Sequence, residues 1–437
     1  MSIKTRRFLF YSLVIVFILL GTFLVSNSRG YRLDWKNFQI EATGGIYITS
    51  TPTKTRIELD GEKIKNETGI LQRGTLIDNL LPGQYSLSVQ FDGHSSWKKD
   101  VEVKSGVVSV FDYIILIPEI DPIQISDTIA SRIVNSGKHM AVESGGGVSL
   151  DGTLVFGHEI VALTDSGTLL TRSTATNNYY IANAFEPDDN LNLTLVFNNL
   201  KSEKLNLPGA VDIKKALPYP YNDRRFVVST EQAIYVLDVD KLTIEQITEN
   251  ANNFFIQSEN SIAWEEDQAI KMFNLPIKSE TVAIDLTPLD IEGSSLKELQ
   301  YTSSGWLALK TSGELMILNQ NTAPEIVNTS VKGFTLSPNG ESVAMIGKDN
   351  SLSVYNFDDK ESIEMDSSAS VQDVVWFKDS IHIILLGGDT LVFTEVSDAG
   401  PPSNTILASG VQGFSYAGGD TVSFSDQSGI WEKIIID

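Results

Sequence analysis

The hydrophobic pattern divides the chain into three parts, and the first part contains a continuous apolar run. This run covers residues 8–26, begins at Phe8, ends at Ser26 and contains no charged side chain. Its length matches a helix that crosses about 30 Å of hydrocarbon. Basic residues at positions 4, 6 and 7 precede it, which favours a cytoplasmic N-terminus. We expect a basic tail at 1–7 and a single-pass transmembrane anchor at 8–26, with a cleaved signal peptide as the alternative.

The second part follows a juxtamembrane segment at 27–43 and shows apolar and polar residues in alternation. The alternation is clearest at 84–91, and Asp-Gly or Pro-Gly pairs mark tight turns near residues 60, 82 and 92. Residues 44–118 thus contain five or six predicted short strands. This pattern predicts a small β-sandwich.

The second part also resembles the PEGA domain family. The matching turn and strand positions are Pro52, Asp60, Gly61, Pro82, Gly83, Tyr85, Asp92, Gly93 and Trp97. Two positions depart from the family pattern: the Pro-Glu-Gly-Ala tetrapeptide is Pro-Thr-Lys-Thr at 52–55, and Gly93 is followed by His94 instead of tyrosine. The resemblance implies a non-catalytic spacer or adhesion module in a surface or envelope protein.

The third part contains a repeat with a spacing of 40 residues, which begins at Val331, Val371 and Val411. Each copy starts with an apolar strand and continues through a turn into another strand, such as 351–357. A repeat of this length with four short strands is typical of a β-propeller blade, because blades bury their faces only when they pack in a ring. We therefore predict an all-β ectodomain with a propeller over 119–437.

The blade count is predicted from seven candidate strands, each expected to close one repeat. They are centred near residues 195, 236, 272, 316, 354, 392 and 433. A further apolar segment at 167–171 lies only about 26 residues before the first of them. Because this spacing is too short for a complete blade, seven blades are favoured over six or eight. The Ser-Pro-Asn-Gly turn at 337–340 resembles that of WD-repeat and Tol-B-type propellers, although no Trp-Asp dipeptide ends a repeat.

Composition limits the kinds of partner and of source organism that we expect for the chain. The chain has 33 basic and 56 acidic residues, so its net charge is 33 − 56 = −23. We expect no nucleic-acid partner, because such a chain repels phosphates. The chain contains no cysteine, which excludes disulfides and thiolate ligands and favours a bacterial or archaeal source over a secreted eukaryotic one.

Few residues suggest chemistry. The four histidines share no metal-ligand spacing; they are His94, His139, His158 and His382. The acidic segment 186–190 lacks the register of a calcium loop, so a solvated loop is expected there, and a flexible turn is expected at 145–147. Four tyrosines are expected in loops between blades, either packed at blade junctions or forming a patch for sugar or protein; they are Tyr179, Tyr180, Tyr219 and Tyr221.

These observations predict a non-catalytic, membrane-anchored surface protein without a cofactor or metal. Its β-sandwich would present the propeller to an unidentified protein or cell-wall partner. Two alternatives remain: an extracellular glycan hydrolase or lyase with paired carboxylates in the central channel, and a purely structural envelope component.

Overall fold

The computed structural model describes most of the chain, over the following residues: 3–28, 30–34, 39–69, 72–219, 222–251, 253–258, 261–274, 276–286, 296–320, 322–365, 370–397 and 403–436. The chain divides into two compact units. The first comprises 1–120, 397–405 and 435–437, and the second comprises 121–396 and 406–434.

The predicted anchor lies in helix α1 (Ile3–Ser28) of the first unit. Its window Thr5–Thr22 has a mean hydropathy of 1.6 and is not buried by the rest of the protein. The helix is therefore long and apolar enough to cross a membrane, and a signal sequence would have the same length and composition.

Two short strands lie within the predicted juxtamembrane segment 27–43. Strands β1 (Tyr31–Asp34) and β2 (Gln39–Ala42) pair as an antiparallel hairpin, with Tyr31 opposite Ala42. Each strand has only four residues, too few for a period of two to be recognised in the sequence.

Residues 44–118 form the predicted β-sandwich. One sheet has the order β6-β3-β9, and the other has the order β5-β4-β7-β8. The strands are β3 (Gly44–Thr51), β4 (Arg56–Leu59), β5 (Glu62–Ile64), β6 (Thr75–Leu80), β7 (Gly83–Gln90), β8 (Trp97–Val103) and β9 (Val108–Ile115). Alternate residues of both sheets meet in one core that includes Ile46, Leu87 and Trp97, none more than 3% exposed.

The second unit begins with β10 (Ile123–Ser126) and continues as blades of four strands. Blade one is β11 (Ala130–Ser136), β12 (His139–Ser144), β13 (Gly147–Leu150) and β14 (Thr153–Val155). Blade two is β15 (Glu159–Leu163), β16 (Thr168–Arg172), β17 (Tyr179–Asn183) and β18 (Glu186–Asn192), followed by helix α2 (Leu193–Leu205). Blade three is β19 (Lys215–Tyr219), β20 (Asn222–Ser229), β21 (Ile234–Asp238) and β22 (Thr243–Thr248).

The remaining blades follow the same order. Blade four is β23 (Phe255–Ser258), β24 (Ser261–Glu266), β25 (Ala269–Asn274) and β26 (Ser279–Asp285). Blade five is β27 (Leu296–Thr302), β28 (Gly305–Lys310), β29 (Leu315–Leu318) and β30 (Glu325–Asn328). Blade six is β31 (Val331–Leu336), β32 (Ser342–Gly347), β33 (Leu352–Asn356) and β34 (Ser362–Met365). Blade seven is β35 (Val371–Trp376), β36 (His382–Gly387), β37 (Thr390–Glu395) and β38 (Asn404–Ser409).

The last blade joins the two ends of the propeller. It contains β39 (Gly413–Ser415), β40 (Thr421–Asp426) and β41 (Gly429–Ile434), and β10 is its outermost strand. Because the beginning and the end of the unit share one sheet, the ring is closed by backbone hydrogen bonds.

The eight sheets of the described residues correct the predicted count of seven blades. Six of the strands identified in the sequence are the third strands of their blades. In five of these blades a fourth strand follows, and in the last blade the fourth strand is β10. The apolar segment 193–197 is the start of α2, because the Asn192 side chain accepts a hydrogen bond from the Leu195 N–H and caps a helix. Blade one was not recognised in the sequence, because it is shorter than the other blades and its third strand begins with glycine.

Two further predictions in this region were wrong. The acidic segment 186–190 lies in strand β18 instead of a solvated loop. Tyr179, Tyr180 and Tyr219 lie in blade strands instead of loops, while Tyr221 falls outside the described residues. Tyr179 and Tyr219 are 3% and 4% exposed, so they pack in the core.

A side-chain hydrogen bond crosses each junction between neighbouring blades. In order from blade one, the donor–acceptor pairs are Arg132–Ile160, Tyr179–Lys214, Lys215–Phe254, Gln257–Leu299, Lys297–Lys332, Trp376–Thr335, Lys378–Tyr416 and Asn135–Ser415. In the Asn135–Ser415 pair the donor is the backbone N–H. These bonds complement the apolar packing of blade faces and hold the inner strands around a central channel.

Candidate functional site

The innermost strands of five blades contain a bulge near their start. In five blades the register shifts directly after a buried residue; these shifts lie at 130/132, 160/162, 296/298, 331/333 and 371/373. A bulge of this kind redirects a side chain. The corresponding residues of blades three, four and eight each precede a buried residue, at 216, 254 and 414.

We call the eight residues at this position the channel ring. In blade order they are Arg132, Ala162, Lys215, Asn253, Glu298, Gly333, Asp373 and Gly413. The odd-numbered blades contribute the charged members, two cations followed by two carboxylates, and the even-numbered blades contribute small or neutral residues. Electrostatic effects reach from blade to blade across the ring, since Lys215 acts on Glu298 and Arg132 acts on Asp373.

Among the described residues, the hydrogen-bond acceptors of the Lys215 ammonium are uncharged. Its Nζ donates hydrogen bonds to Asn253 Oδ1 at 3.0 Å and to the Phe254 carbonyl oxygen at 2.7 Å. It also lies 4.9 Å and 5.0 Å from the ring centroids of Phe254 and Phe255. Burial lowers the pKa of the Lys215 ammonium to about 8, and the charge of Glu298 opposes this effect only in part.

The two ring carboxyls have raised pKa values. Burial raises the pKa of Glu298, and the charges of Lys297 and Lys215 offset this rise in part. Desolvation raises the pKa of Asp373, although the residue is partly accessible to solvent. The Val374 N–H, which donates to Asp373 Oδ1 at 2.9 Å, and the charges of Arg132 and Lys332 act in the opposite direction.

The remaining cations of the channel mouth are partly neutralised. Arg132 Nη1 lies 3.6 Å from Glu143 Oε1 and donates to the Ile160 carbonyl oxygen at 2.8 Å. Lys297 and Lys332 are exposed, and each precedes a ring residue in the chain. Together with Glu143, these residues and the ring comprise four cations and three carboxylates. Charged side chains held by rigid strands can bind a charged group of a partner.

The nine PEGA-like positions lie in turns and in the sandwich core, away from the channel ring in the chain. Asp60 and Gly61 have φ values of 50° and 80° in the turn between β4 and β5, and Asp60 Oδ1 accepts a hydrogen bond from the Ser86 N–H. Pro52, Pro82, Gly83, Asp92 and Gly93 lie at strand ends or turns, and the peptide bond before Pro52 is cis. The Tyr85 hydroxyl donates to the Leu81 carbonyl oxygen, and Trp97 packs edge-on against Phe111.

Two histidines pair with carboxylates that sequence spacing did not single out. His139 Nδ1 lies 2.7 Å from Asp151 Oδ2, and His382 Nδ1 lies 2.6 Å from Asp379 Oδ2. Burial raises the pKa of Asp379, but hydrogen bonds from His382 and Ile381 outweigh it and the net pKa is lowered. Both histidines are buried and connect turns of a blade, and the described residues contain no cluster of three metal-binding side chains.

The charged members of the channel ring were missed in the sequence, although a weak signal marks them. Each lies two residues after an apolar residue and directly before another, as in Ile213-Lys-Lys215-Ala216 and Leu296-Lys-Glu298-Leu299. The 40-residue repeat already placed Asp373 at the third position of its copy. The earlier blades lack that spacing, so their equivalent positions could not be aligned.

Comparisons with known proteins identify no family. No protein-family model matches this chain, and no curated protein matches it in sequence. Similar solved structures include the computationally designed Ika8 protein, with a TM-score of 0.48, 10% identity and coverage of 71% of this chain and 97% of that one. The C-terminal WD40 domain of Sif2 has a TM-score of 0.46, 9% identity and coverage of 74% and 99%. A chain of the mitotic checkpoint complex has a TM-score of 0.44, 12% identity and coverage of 73% and 98%. Neither an activity nor a partner follows from likenesses of this size.

Proposed function

We propose that this chain is a non-catalytic binding protein, anchored by α1 in a bacterial membrane and facing outward. Residues 44–118 act as a PEGA-like spacer, and the propeller binds a protein or cell-envelope partner through the channel ring. The observation that carries the proposal is the ring itself. Eight blades hold four charged side chains at equivalent positions, and the junction hydrogen bonds keep these positions rigid.

A photo-cross-linking experiment in cells tests this function. A photo-reactive residue at Gln372, which is exposed beside Asp373, should form a discrete adduct with the partner. The matched control is Ile277, which is 72% exposed on the outer side of blade four and should give no such adduct. Equal labelling at both positions, or none at either, contradicts a partner at the channel mouth and favours a purely structural component.

The outward orientation has a separate test. Protease added to intact cells should release fragments of the second unit, because we place 30–437 outside the membrane. Full protection of these residues in intact cells, together with cleavage after the cells are opened, would place the propeller on the other side.

The enzyme alternative has one supporting observation, the two carboxyls Glu298 and Asp373 in the ring. Glycosidases use one protonated and one ionised carboxyl, which requires environments that push the two pKa values apart. Here burial raises the pKa of both carboxyls, so the shifts do not assign one as acid and the other as base. We therefore prefer the binding function. Glycan cleavage by the full chain that is lost in both Glu298→Gln and Asp373→Asn would reverse this preference.

A further inference from the structure

The side chains of Lys215 and Asn253 meet at the junction of blades three and four. Lys215 begins β19, the first strand of blade three, and Asn253 lies two residues before β23, the first strand of blade four. The Lys215 Nζ donates a hydrogen bond to Asn253 Oδ1 at 3.0 Å, so the amine lies next to the amide carbon that is bonded to this oxygen. An amine and an amide that are held together in this way have already lost the freedom that a reaction between them would cost.

Backbone groups hold both ends of the Asn253 amide. The Phe254 N–H donates to the same Oδ1 at 2.9 Å, and Asn253 Nδ2 donates to the Leu296 carbonyl oxygen at 3.3 Å. A backbone donor on the amide oxygen stabilises the negative charge that develops there when a nucleophile adds to the carbon. The contact with Leu296 fixes the orientation of the NH2 group, which is the leaving group of such a reaction.

The surroundings of the pair favour an uncharged amine. Phe254 and Phe255 flank the Lys215 Nζ and are 0% and 7% exposed. Burial lowers the pKa of Lys215 to about 8, so roughly a tenth of this group is a neutral nucleophile at pH 7.

A carboxyl group that can carry a proton lies near the same amine. The charges of Glu298 and Lys215 act on each other, and burial raises the pKa of Glu298. Glu298 follows Leu296, whose carbonyl oxygen holds the Asn253 amide, by two residues. A carboxyl with a raised pKa is suited to general acid–base work near neutral pH.

We propose that Lys215 and Asn253 form an intramolecular isopeptide bond, with Glu298 as the general acid–base group. The neutral Nζ adds to Asn253 Cγ and forms the new C–N bond, and the displaced electron pair moves to Oδ1. Protonated Glu298 then gives its proton to Nδ2, and its carboxylate takes the proton that Nζ loses. The Cγ–Nδ2 bond breaks as the carbonyl reforms, and ammonia leaves.

A second lysine–asparagine contact in the propeller provides a matched control. The Lys332 Nζ donates to Asn350 Oδ1 at 3.4 Å, and this contact is exposed to solvent. Water therefore reaches the Lys332 ammonium, whereas aromatic rings flank the Lys215 ammonium. We expect a covalent bond at the buried pair and none at the exposed pair.

Mass spectrometry of the folded full chain in detergent tests the bond. The wild type at pH 8 should be lighter, by one ammonia, than the mass calculated for the same N-terminus. Peptide mapping should give a branched peptide that joins the segments around Lys215 and Asn253, while those around Lys332 and Asn350 stay separate. Lys215→Arg and Asn253→Ala should keep the unreacted mass, and Glu298→Gln should react at least about a hundredfold more slowly.

The pH dependence gives a second measurement. Protein recovered unfolded from inclusion bodies and refolded at pH 5 should begin at the unreacted mass, because the amine is protonated there. A shift to pH 8 should start the loss of ammonia. This refolded material is the unlinked wild type.

Three results would overturn the proposal. The first is an unreacted wild type that stays unlinked at pH 8, which is measured without any variant. The second is an ammonia loss that persists in Lys215→Arg, since Asn253 would then cyclise with its own backbone. The third is equal rates in wild type and Glu298→Gln, which would remove the role of Glu298. Circular dichroism melting curves establish that each variant is folded.

The bond is independent of the proposed binding function. It joins the first strands of blades three and four and removes the Lys215 charge from the channel ring, while Arg132, Glu298 and Asp373 keep theirs. Loss of the Gln372 adduct in cells would remove the binding function and leave the bond untouched. A missing ammonia loss would remove the bond alone.

Discussion

At the scale of single residues, Glu266 shows how this propeller stabilises a buried charge. Its carboxylate accepts hydrogen bonds from Trp264 at 2.6 Å, Thr248 at 2.9 Å and Asn250 at 3.2 Å, and lies 3.2 Å from Lys271 Nζ. Burial raises the pKa of Glu266, but these partners outweigh it and the net pKa is lowered. The group thus joins blades three and four through its charged form.

Replacing Glu266 with alanine should destabilise the protein strongly. We expect a loss of about 3–5 kcal/mol, because the buried Trp264 N–H and the Lys271 ammonium lose their partner. Because the folded pKa lies below the ordinary 4.5, the contribution is present above that pH and disappears as pH falls through the folded pKa. Guanidinium unfolding of the two proteins at pH 7 and at pH 3 measures both effects.

The matched control is Glu280→Ala, which removes a half-exposed carboxylate 3.5 Å from the same Lys271 Nζ. It should cost less than about 1 kcal/mol, as exposed ion pairs do. Similar losses for the two variants would show that the hydrogen-bond network has no special role.

In the unlinked protein the pKa of Lys215 is also lowered by folding, but its effect on stability falls in the alkaline range. Its folded pKa of about 8 lies below the ordinary 10.5, so the unfolded chain binds more protons between these values. The contribution of Lys215 to the free energy of unfolding therefore rises as pH increases from 8 to 10.5. Lys215→Met should lack this rise, and the difference between wild type and variant in urea unfolding at pH 7 and pH 10 measures it. Parallel pH profiles of unlinked wild type and Lys215→Met would contradict a lowered pKa of the Lys215 ammonium. Lys214→Met serves as the reference variant.

At the scale of elements, the third strands of the blades and the apolar helix α1 were the parts that the sequence predicted best. Strands such as β29, with Leu315-Met-Ile-Leu318 all buried, are continuous apolar runs and were found. Strand β13 was not, because Gly147-Val-Ser-Leu150 has two apolar residues in four. Helix α2 was misassigned because Leu193 and Phe197 are apolar at either spacing, and only the Asn192 cap and the αL residue Asn206 distinguish a helix from a strand there.

The element with the clearest separate role is β10, the outermost strand of the last blade. Its pairs with β41 are Ile123 with Glu432, Gln124 with Trp431 and Ser126 with Ile430. Ile123 and Ile125 are 59% and 42% exposed, so backbone pairing contributes more than apolar burial.

Removal of β10 should therefore weaken the propeller without altering the other seven blades. A fragment that begins at residue 127 should be about 2–4 kcal/mol less stable than one that begins at residue 121, from three or so net hydrogen bonds. Urea unfolding measures the difference, and hydrogen exchange should show the loss at β41 first. Equal stability of the two fragments would mean that β10 does not close the ring.

At the scale of the whole molecule, the sequence predicted the all-β propeller fold and the long apolar helix at the N-terminus. The channel ring could not be predicted from the sequence, because the blades differ in length. Equivalent positions can be aligned only when the eight inner strands are compared in the structure. A 26-residue blade one and a helix inserted after blade two break the period that Val331, Val371 and Val411 follow.

The apolar helix α1 leads to a prediction about the size of the mature protein. If α1 remains as an anchor, the protein in the membrane fraction should keep the full mass of 48.0 kDa and the residues before Phe8. Intact mass and N-terminal peptide mapping of the purified membrane fraction measure this. A mature N-terminus near residue 27 would identify a signal peptide, and deletion of 3–28 provides the soluble reference.

The shared sheet of β10 and β41 means that the order of blades is cyclic, with the chain break placed in the last of them. A circularly permuted propeller whose ends lie at the exposed turn of Gly145 and Gly146, between β12 and β13, keeps every blade beside the same neighbours. New chain ends or an inserted segment can therefore be placed at any exposed turn of the ring. Duplication of a blade is possible at the same places.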